Sequence, residues 1–346
     1  MPFFLYNGFM GFKKIFFLAF MIFTLSCAKK ETANYYAETF FIMSVPVEIK
    51  IYTRDMDRAK GITALINAEI KRISDEFSYN EPYSSVSYLN KNAYEKWINV
   101  NDEFLNLLNM SKKFYEISGG GFDITFAPLW PLWKEAASRK KLPTEEELKK
   151  ALSKIGFENI VIDEKNKAVM FKKPMEINLG GILRGYTLIK VENILKKNNI
   201  KENLEIDIGA NKLCFGDRIF KYEINSPTDE KKIIGVLSFP QGLIISSSGR
   251  SHFVEVEGKV YSHILNIKTG YPVENFSNLI IYVPDMREEL ISPAAYVIMG
   301  REKTFDFISK IKGACAIWID GSGNISTMIK QDSLCKWEKA GKKFLF

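Results

Sequence analysis

The sequence predicts an α+β fold with two lobes. Capped helical patterns run through the first two hundred residues, and short strand-like runs separated by turns take over from residue 204. Neither a repeat of solenoid period nor a proline-rich linker divides the chain, so both halves belong to one unit.

The elements follow in order. Residues 42–52 alternate and are rich in Val and Ile, the pattern of a strand. Ile62, Ile66, Ile70, Ile73 and Phe77 then recur at helical spacing on one face. Asn101 is a suitable N-cap for a second helix carrying Phe104, Leu105, Leu108 and Phe114, stopped by Gly119-Gly120-Gly121. Thr144 with Glu147 forms a capping box for a third, which presents Leu148, Leu152 and Ile155 and stops at Gly156. Short strands are predicted at 160–162, 168–171 and 175–179, the last running into Gly180-Gly181 and a helix from 182 to about 197. The strand-rich half follows, with runs at 204–208, 212–215, 222–225, 235–239, 243–247, 253–256 and 279–283. Ser292-Pro293 places an N-cap before a proline at the first helical position, predicting a helix to about 311. Strands at 314–319 and 325–329 close the chain.

Composition excludes several classes. With 46% hydrophobic and 26% charged residues over 346 positions, the chain is neither a disordered tail nor a fibre. Its net charge of +7 comes from dispersed lysines with no basic stripe, so no nucleic-acid partner is expected. Two histidines and four cysteines at no metal-ligand spacing argue against a zinc site, and His252 reads as a surface residue.

At the amino terminus Lys13-Lys14 precedes an apolar run at 15–25 and then Ser26-Cys27. Basic, apolar and small residues in this order build an export signal, and the run is too short to span a bilayer. Residues 1–27 are therefore expected to be a signal peptide ending in a lipobox, with Cys27 lipidated, or an uncleaved anchor. Residues 28–36 form a polar tether and 37–346 the folded domain. Either reading exports the chain to a membrane-anchored, periplasmic position. Lipidation of Cys27 would leave three cysteines, an odd number, and no disulfide framework is expected.

Three segments carry chemistry. The first is Gly119-Gly120-Gly121-Phe122-Asp123-Ile124-Thr125-Phe126-Ala127-Pro128-Leu129, where glycines let backbone approach a ligand and Asp123 and Thr125 add polar groups beside a ring. The second is Asn178-Leu179-Gly180-Gly181-Ile182-Leu183-Arg184-Gly185-Tyr186. A glycine pair opening a helix with a cation in its first turn suits phosphate, and equally suits close packing of helix on strand. The third joins Ser246-Ser247-Ser248-Gly249 to Tyr261-Ser262-His263-Ile264-Leu265-Asn266-Ile267-Lys268-Thr269-Gly270-Tyr271-Pro272.

In this order the three resemble the motifs of the FAD:protein FMN transferases, the ApbE-like flavin-transferase family, over about residues 36–330. The resemblance implies a two-lobed ApbE-like (T-fold-like) domain of antiparallel sheets and packed helices that clasps FAD. It implies FMN transfer from FAD to a threonine of an acceptor protein, with release of AMP, on a magnesium-bound pyrophosphate. Gly180, Gly181 and Arg184 would meet the pyrophosphate, Phe122 and Asp123 the flavin or adenine, and His263 would border the ligand. Met43, Gly121, Asn178 and Ile264 complete the implied cofactor contacts, with His263 and Arg184 as candidate catalytic groups.

Departures from the family pattern gather around the metal. Leu290 stands at the metal-binding Asp and Ala294 at the metal-binding Thr, leaving the Leu183 carbonyl as the one implied ligand, with Glu288 and Glu289 nearby in sequence. Asn178 and Asn266 replace aspartates, Arg184 replaces lysine, and Ser44-Val45 replaces Gly-Thr after Met43. Besides an active transferase, the residues admit a catalytically impaired flavin-binding lipoprotein, or a structural or interaction lipoprotein that keeps the fold alone.

Overall fold

The computed structural model describes residues 34–340 apart from 228 and 250–252, so Cys27, the leader and His252 lie outside the described residues. Eight strands form an all-antiparallel sheet in the order Tyr36–Ile42, Val45–Tyr52, Asn203–Ile208, Asn211–Phe215, Gly242–Ser248, Phe276–Val283, Cys315–Asp320 and Ile325–Ile329. The α+β expectation holds, with helices α1 (Met56–Phe77), α2 (Ser85–Asn92), α3 (Asp102–Ile117), α4 (Leu129–Arg139), α5 (Glu145–Leu152), α6 (Gly180–Lys197), α7 (Pro293–Met299) and α8 (Arg301–Ser309).

Period-two burial sorts the central strands between two cores. Leu243, Ile245, Leu279, Ile281, Ala316 and Trp318 face the main helical core, while Ile244, Ile280, Tyr282, Cys315, Ile317 and Ile319 face the opposite side. There a three-stranded sheet, Phe220–Ser226, Asp229–Phe239 and Lys336–Lys339, covers them with Phe220, Leu237 and Phe239. Strands buried on both faces lose their alternation, which is why these segments read as continuous apolar runs. α1 lays its Ile62, Ile66, Ile70, Ile73 and Phe77 face into the main core, each side chain contributing about 1.5–3 kcal/mol. A third cluster packs α4 and α5 against the hairpin of Phe253–Val256 with Lys259–Ser262.

The caps at Asn101 and Thr144 form as predicted, Asn101 accepting from the Phe104 N–H and Thr144 closing a full capping box with Glu147. Other expectations are corrected. The single strand at 42–52 is a hairpin whose first strand begins at Tyr36, inside the expected tether; it turns at Met43 and Ser44, both left-handed, with φ of 52° and 60°. Residues 175–179 form no strand, because their backbone bonds to distant loop and helix groups instead: Ile177 N–H donates to the Asn90 side chain and Asn178 N–H to the Ile124 carbonyl. The helix expected from Ser292 to about 311 breaks at Gly300, φ 83°, into α7 and α8. Helices α2 and α4 lie where no helix was expected. Cys315 and Cys335 form a disulfide across 20 residues, contrary to the cysteine count, while Cys214 is buried and free. Among the described residues no helix is long and apolar enough to cross a membrane.

Candidate functional site

All three motif segments converge on one cleft. The loop after α3, the start of α6, residues 210–211, the end of the Gly242–Ser248 strand, residues 263–265 and α7 enclose an inner chamber of about 150 Å³. An outer chamber of about 290 Å³ lies beside it, walled by the Met43-Ser44 turn, Tyr79, Asn80, Trp130 and Asn178. Phe126, Gly180, Arg184 and His263 line both, so they form the waist between the chambers.

The α6 end of the waist is built for close approach. α6 has no side-chain cap; Asn178 instead turns back to accept the Gly180 N–H at 2.8 Å. Gly181 exists for packing as much as for ligand: a Cβ there would stand 2.9 Å from the Phe122 ring. One turn on, Arg184 reaches the waist beside Gly209, whose φ of 61° and missing side chain leave the guanidinium its room, a Cβ falling 2.9 Å from Nη1. Among the described residues no carboxylate pairs with Arg184, and burial lowers its hold on its proton. Glu205 and Asp207 bind Lys212 at 2.7 and 3.0 Å.

Asp123 lines the inner chamber, as expected of a ligand contact, and also ties its own loop. Oδ1 accepts from the Thr125 N–H and hydroxyl, both at 2.8 Å, and Oδ2 accepts from the Phe157 N–H at 2.8 Å. Burial pushes its carboxyl up, against those hydrogen bonds, which pull it down. Gly121 packs tightly behind this loop, a Cβ there meeting Ile298 Cγ2 at 2.5 Å, and is not among the residues lining either chamber. Phe122 lines the inner chamber and meets Phe114 edge-on at 5.9 Å. Ile264, buried, backs the same chamber, and Met43 lines the outer one. His263 stands at the waist with its ring edge-on to Trp130, 6.3 Å away.

The positions around α7 offer no hard oxygen. Leu290 is fully buried and Ala294 presents a methyl to the inner chamber beside Pro293 and Ile298. Glu288 accepts from Asn106 Nδ2 at 3.3 Å and Glu289 pairs with Arg287 at 3.7 Å, so neither lines the cleft. The Leu183 carbonyl accepts the Thr187 hydroxyl at 2.8 Å. Asn178 and Asn266 both use Oδ1 to accept a backbone N–H, which an amide does as well as a carboxylate, so these two departures preserve the local turns.

Sequence reading missed Gly209, Asn211, Tyr79, Asn80 and the waist role of Phe126. Only Gly209 left a signal, as a glycine between two strand-like runs.

Residues 43–319 match the ApbE family. The chain is 25% identical over 242 residues to an FAD:protein FMN transferase of Klebsiella pneumoniae (strain 342), covering 69% of this chain and 74% of that protein. It is 21% identical over 318 residues to an FAD:protein FMN transferase of Treponema pallidum (strain Nichols), covering 85% and 87%. Among solved structures, an ApbE protein from Thermotoga maritima superposes with a TM-score of 0.74 at 26% identity, over 85% of this chain and 96% of that one. The flavin transferase ApbE from Vibrio cholerae shares the fold, with a TM-score of 0.70 at 17% identity over 87% and 98%.

Proposed function

This chain belongs to the ApbE family, and from that premise we propose that it is an FAD:protein FMN transferase. One observation carries the reading: two chambers meet at a waist that holds the glycine-opened start of α6 and a guanidinium with no carboxylate partner among the described residues. A flavin dinucleotide has the same plan, two ring systems joined by a pyrophosphate. Arg184 can fork two N–H donors to phosphate oxygens, and the Gly180-Gly181 turn adds the positive end of α6.

The reaction needs positioning and charge neutralisation above all. A threonine hydroxyl oxygen of the acceptor attacks the flavin-side phosphorus, a new P–O ester bond forms, and the bridging P–O bond breaks with its electron pair leaving on AMP. His263, at the waist, takes the hydroxyl proton. Phe122 and Phe126 narrow the site around the rings, and Thr125 and Asp123 keep their loop in register by accepting from the Gly156 and Phe157 N–H groups. Magnesium, implied by the family likeness, does not fit the side chains here, because a leucine, an alanine and an engaged carbonyl stand where oxygen ligands would be needed. Among the described residues no group of three His, Cys, Asp or Glu could hold a metal.

The mature protein works at the periplasmic face of a membrane, held by lipid on Cys27. Two features support this: the leader ending at that cysteine, and the Cys315–Cys335 disulfide, a bond that persists in oxidising compartments. Loss of fatty-acid labelling in Cys27→Ser would be expected, and unchanged labelling would refute the anchor. The activity is tested by incubating the protein with FAD and a threonine-bearing acceptor domain. An acceptor heavier by one FMN, with AMP released in equal amount and both lost in His263→Ala, is expected. FMN and AMP free in solution, with the acceptor unmodified, would replace transfer by hydrolysis.

A further inference from the structure

The charge on a bound pyrophosphate has to be met by something in the cleft, and the two walls differ in what they offer. Resting on the flavin-nucleotide reading above, we infer that this site binds its dinucleotide without a divalent cation, the Arg184 guanidinium supplying the neutralising charge.

Three observations carry this. The α7 wall has lost its means of coordination: Leu290 is fully buried, Ala294 ends in a methyl, and Glu288 and Glu289 point to partners outside the cleft. Divalent magnesium requires several oxygen ligands in near-octahedral array, and one already engaged carbonyl does not provide them. The α6 wall, in contrast, holds a cation that no carboxylate pairs with among the described residues. An unpaired, largely desolvated charge is costly to keep, so the fold holds Arg184 at an expense that an anionic ligand would offset.

Gly209 is the third observation. A guanidinium is wider than a lysine ammonium, and here it fits because residue 209 has no side chain and a left-handed backbone; a Cβ would crowd both Nη1 at 2.9 Å and Val45 Cγ1 at 3.3 Å. The turn thus fits the cation that stands there, and the planar fork gives two directed bonds to phosphate where an ammonium gives a point charge. Arg184 and Gly209 act as one unit in this reading.

Isothermal titration of the full-length protein with FAD, in EDTA and in excess magnesium, tests it. Wild-type affinity is expected to agree within about twofold between the two conditions. Arg184→Gln should weaken binding at least tenfold in EDTA, Arg184→Lys should recover part of that loss, and Gly209→Ala should weaken binding by displacing the guanidinium, with thermal unfolding checked for each variant. If magnesium tightens wild-type binding tenfold or more, the inference fails and the transferase reading stands. If FAD binds in neither condition, both fall. If Arg184→Lys and Arg184→Gln, folded as wild type, bind FAD in EDTA as wild type does, the assignment to Arg184 is wrong.

Discussion

The two walls of the cleft are made of the same kind of element, the first turn of a helix, yet they could hardly differ more in chemistry. The α6 wall brings Gly180, Gly181 and Arg184, with a close-approach backbone and a permanent charge, whereas the α7 wall brings Pro293, Ala294 and Ile298. At α7 even the capping oxygen is spent inward, because the fully buried Ser292 side chain accepts from the Ala295 N–H. A helix start is therefore not an anion site by itself; what decides is whether its free donors and side chains face the cavity.

Behind the α6 wall stands an ionic frame. Arg72 on α1 forks to Glu103 on α3 at 2.8 and 3.0 Å, and the Tyr186 hydroxyl on α6 donates to the same carboxylate at 2.7 Å. This fixes α6 two residues beyond Arg184. Among the described residues the α7 wall has no such ionic frame; Ala295, Tyr296 and Val297 pack into the core, and the Tyr296 hydroxyl donates to the Glu289 carbonyl.

Four experiments would break or sharpen this contrast. The largest effect on stability should come from behind the sheet: replacing Cys315 and Cys335 by Ser should cost about 2–4 kcal/mol in urea unfolding, with FAD affinity of the folded protein unchanged. A shift in affinity would tie the walls to the back face. Next, Ala294→Glu should put a like charge against the pyrophosphate and weaken FAD binding by about 2 kcal/mol, with magnesium returning part of the loss. Binding at wild-type strength in EDTA would place the pyrophosphate away from α7.

Glu103→Gln should remove about 1–2 kcal/mol, a figure reduced for the partial exposure of the cluster. Burial alone would raise the Glu103 pKa, but hydrogen bonds from Arg72 and Tyr186 outweigh it and hold the carboxyl at about 2. Because the folded value lies below the unfolded one, this stabilisation is complete above the ordinary carboxylate range and is lost as pH falls toward 2. The variant should therefore differ from wild type at pH 7 more than at pH 3 in chemical unfolding, and an equal difference at both would dissolve the frame. Smallest is Gly300→Ala, at about 1 kcal/mol, from forcing a side chain into φ 83° between α7 and α8. FAD affinity should move little, since nothing lies within 4 Å of the position a Cβ would take.

Much of the frame was legible in the residues. The Ile62-to-Phe77 stripe, the Asn101 and Thr144 caps and the apolar runs at 243–247 and 279–283 each state their structure, because period and capping are local properties. The hairpin at Met43-Ser44 was not, since neither residue advertises a left-handed turn. The strand expected at 175–179 failed for the opposite reason: its apolar pattern was real, but Asn90 and Ile124 took its backbone groups.

The site divides in the same way. Sequence by itself determined that Gly180-Gly181 opens a helix carrying Arg184, a pattern that suits phosphate and close packing alike, and that Leu290 and Ala294 carry no ligand oxygen in their side chains, because side-chain chemistry is fixed by residue type. Only the tertiary structure decided that Asp123 ties its loop to Phe157 while lining the chamber, that Gly121 packs against Ile298, that Glu288 and Glu289 turn away, and that Gly209, 25 residues from Arg184, opens the space its guanidinium fills. Those outcomes depend on which distant groups claim each hydrogen bond and each cubic ångström, and no local pattern records such a competition.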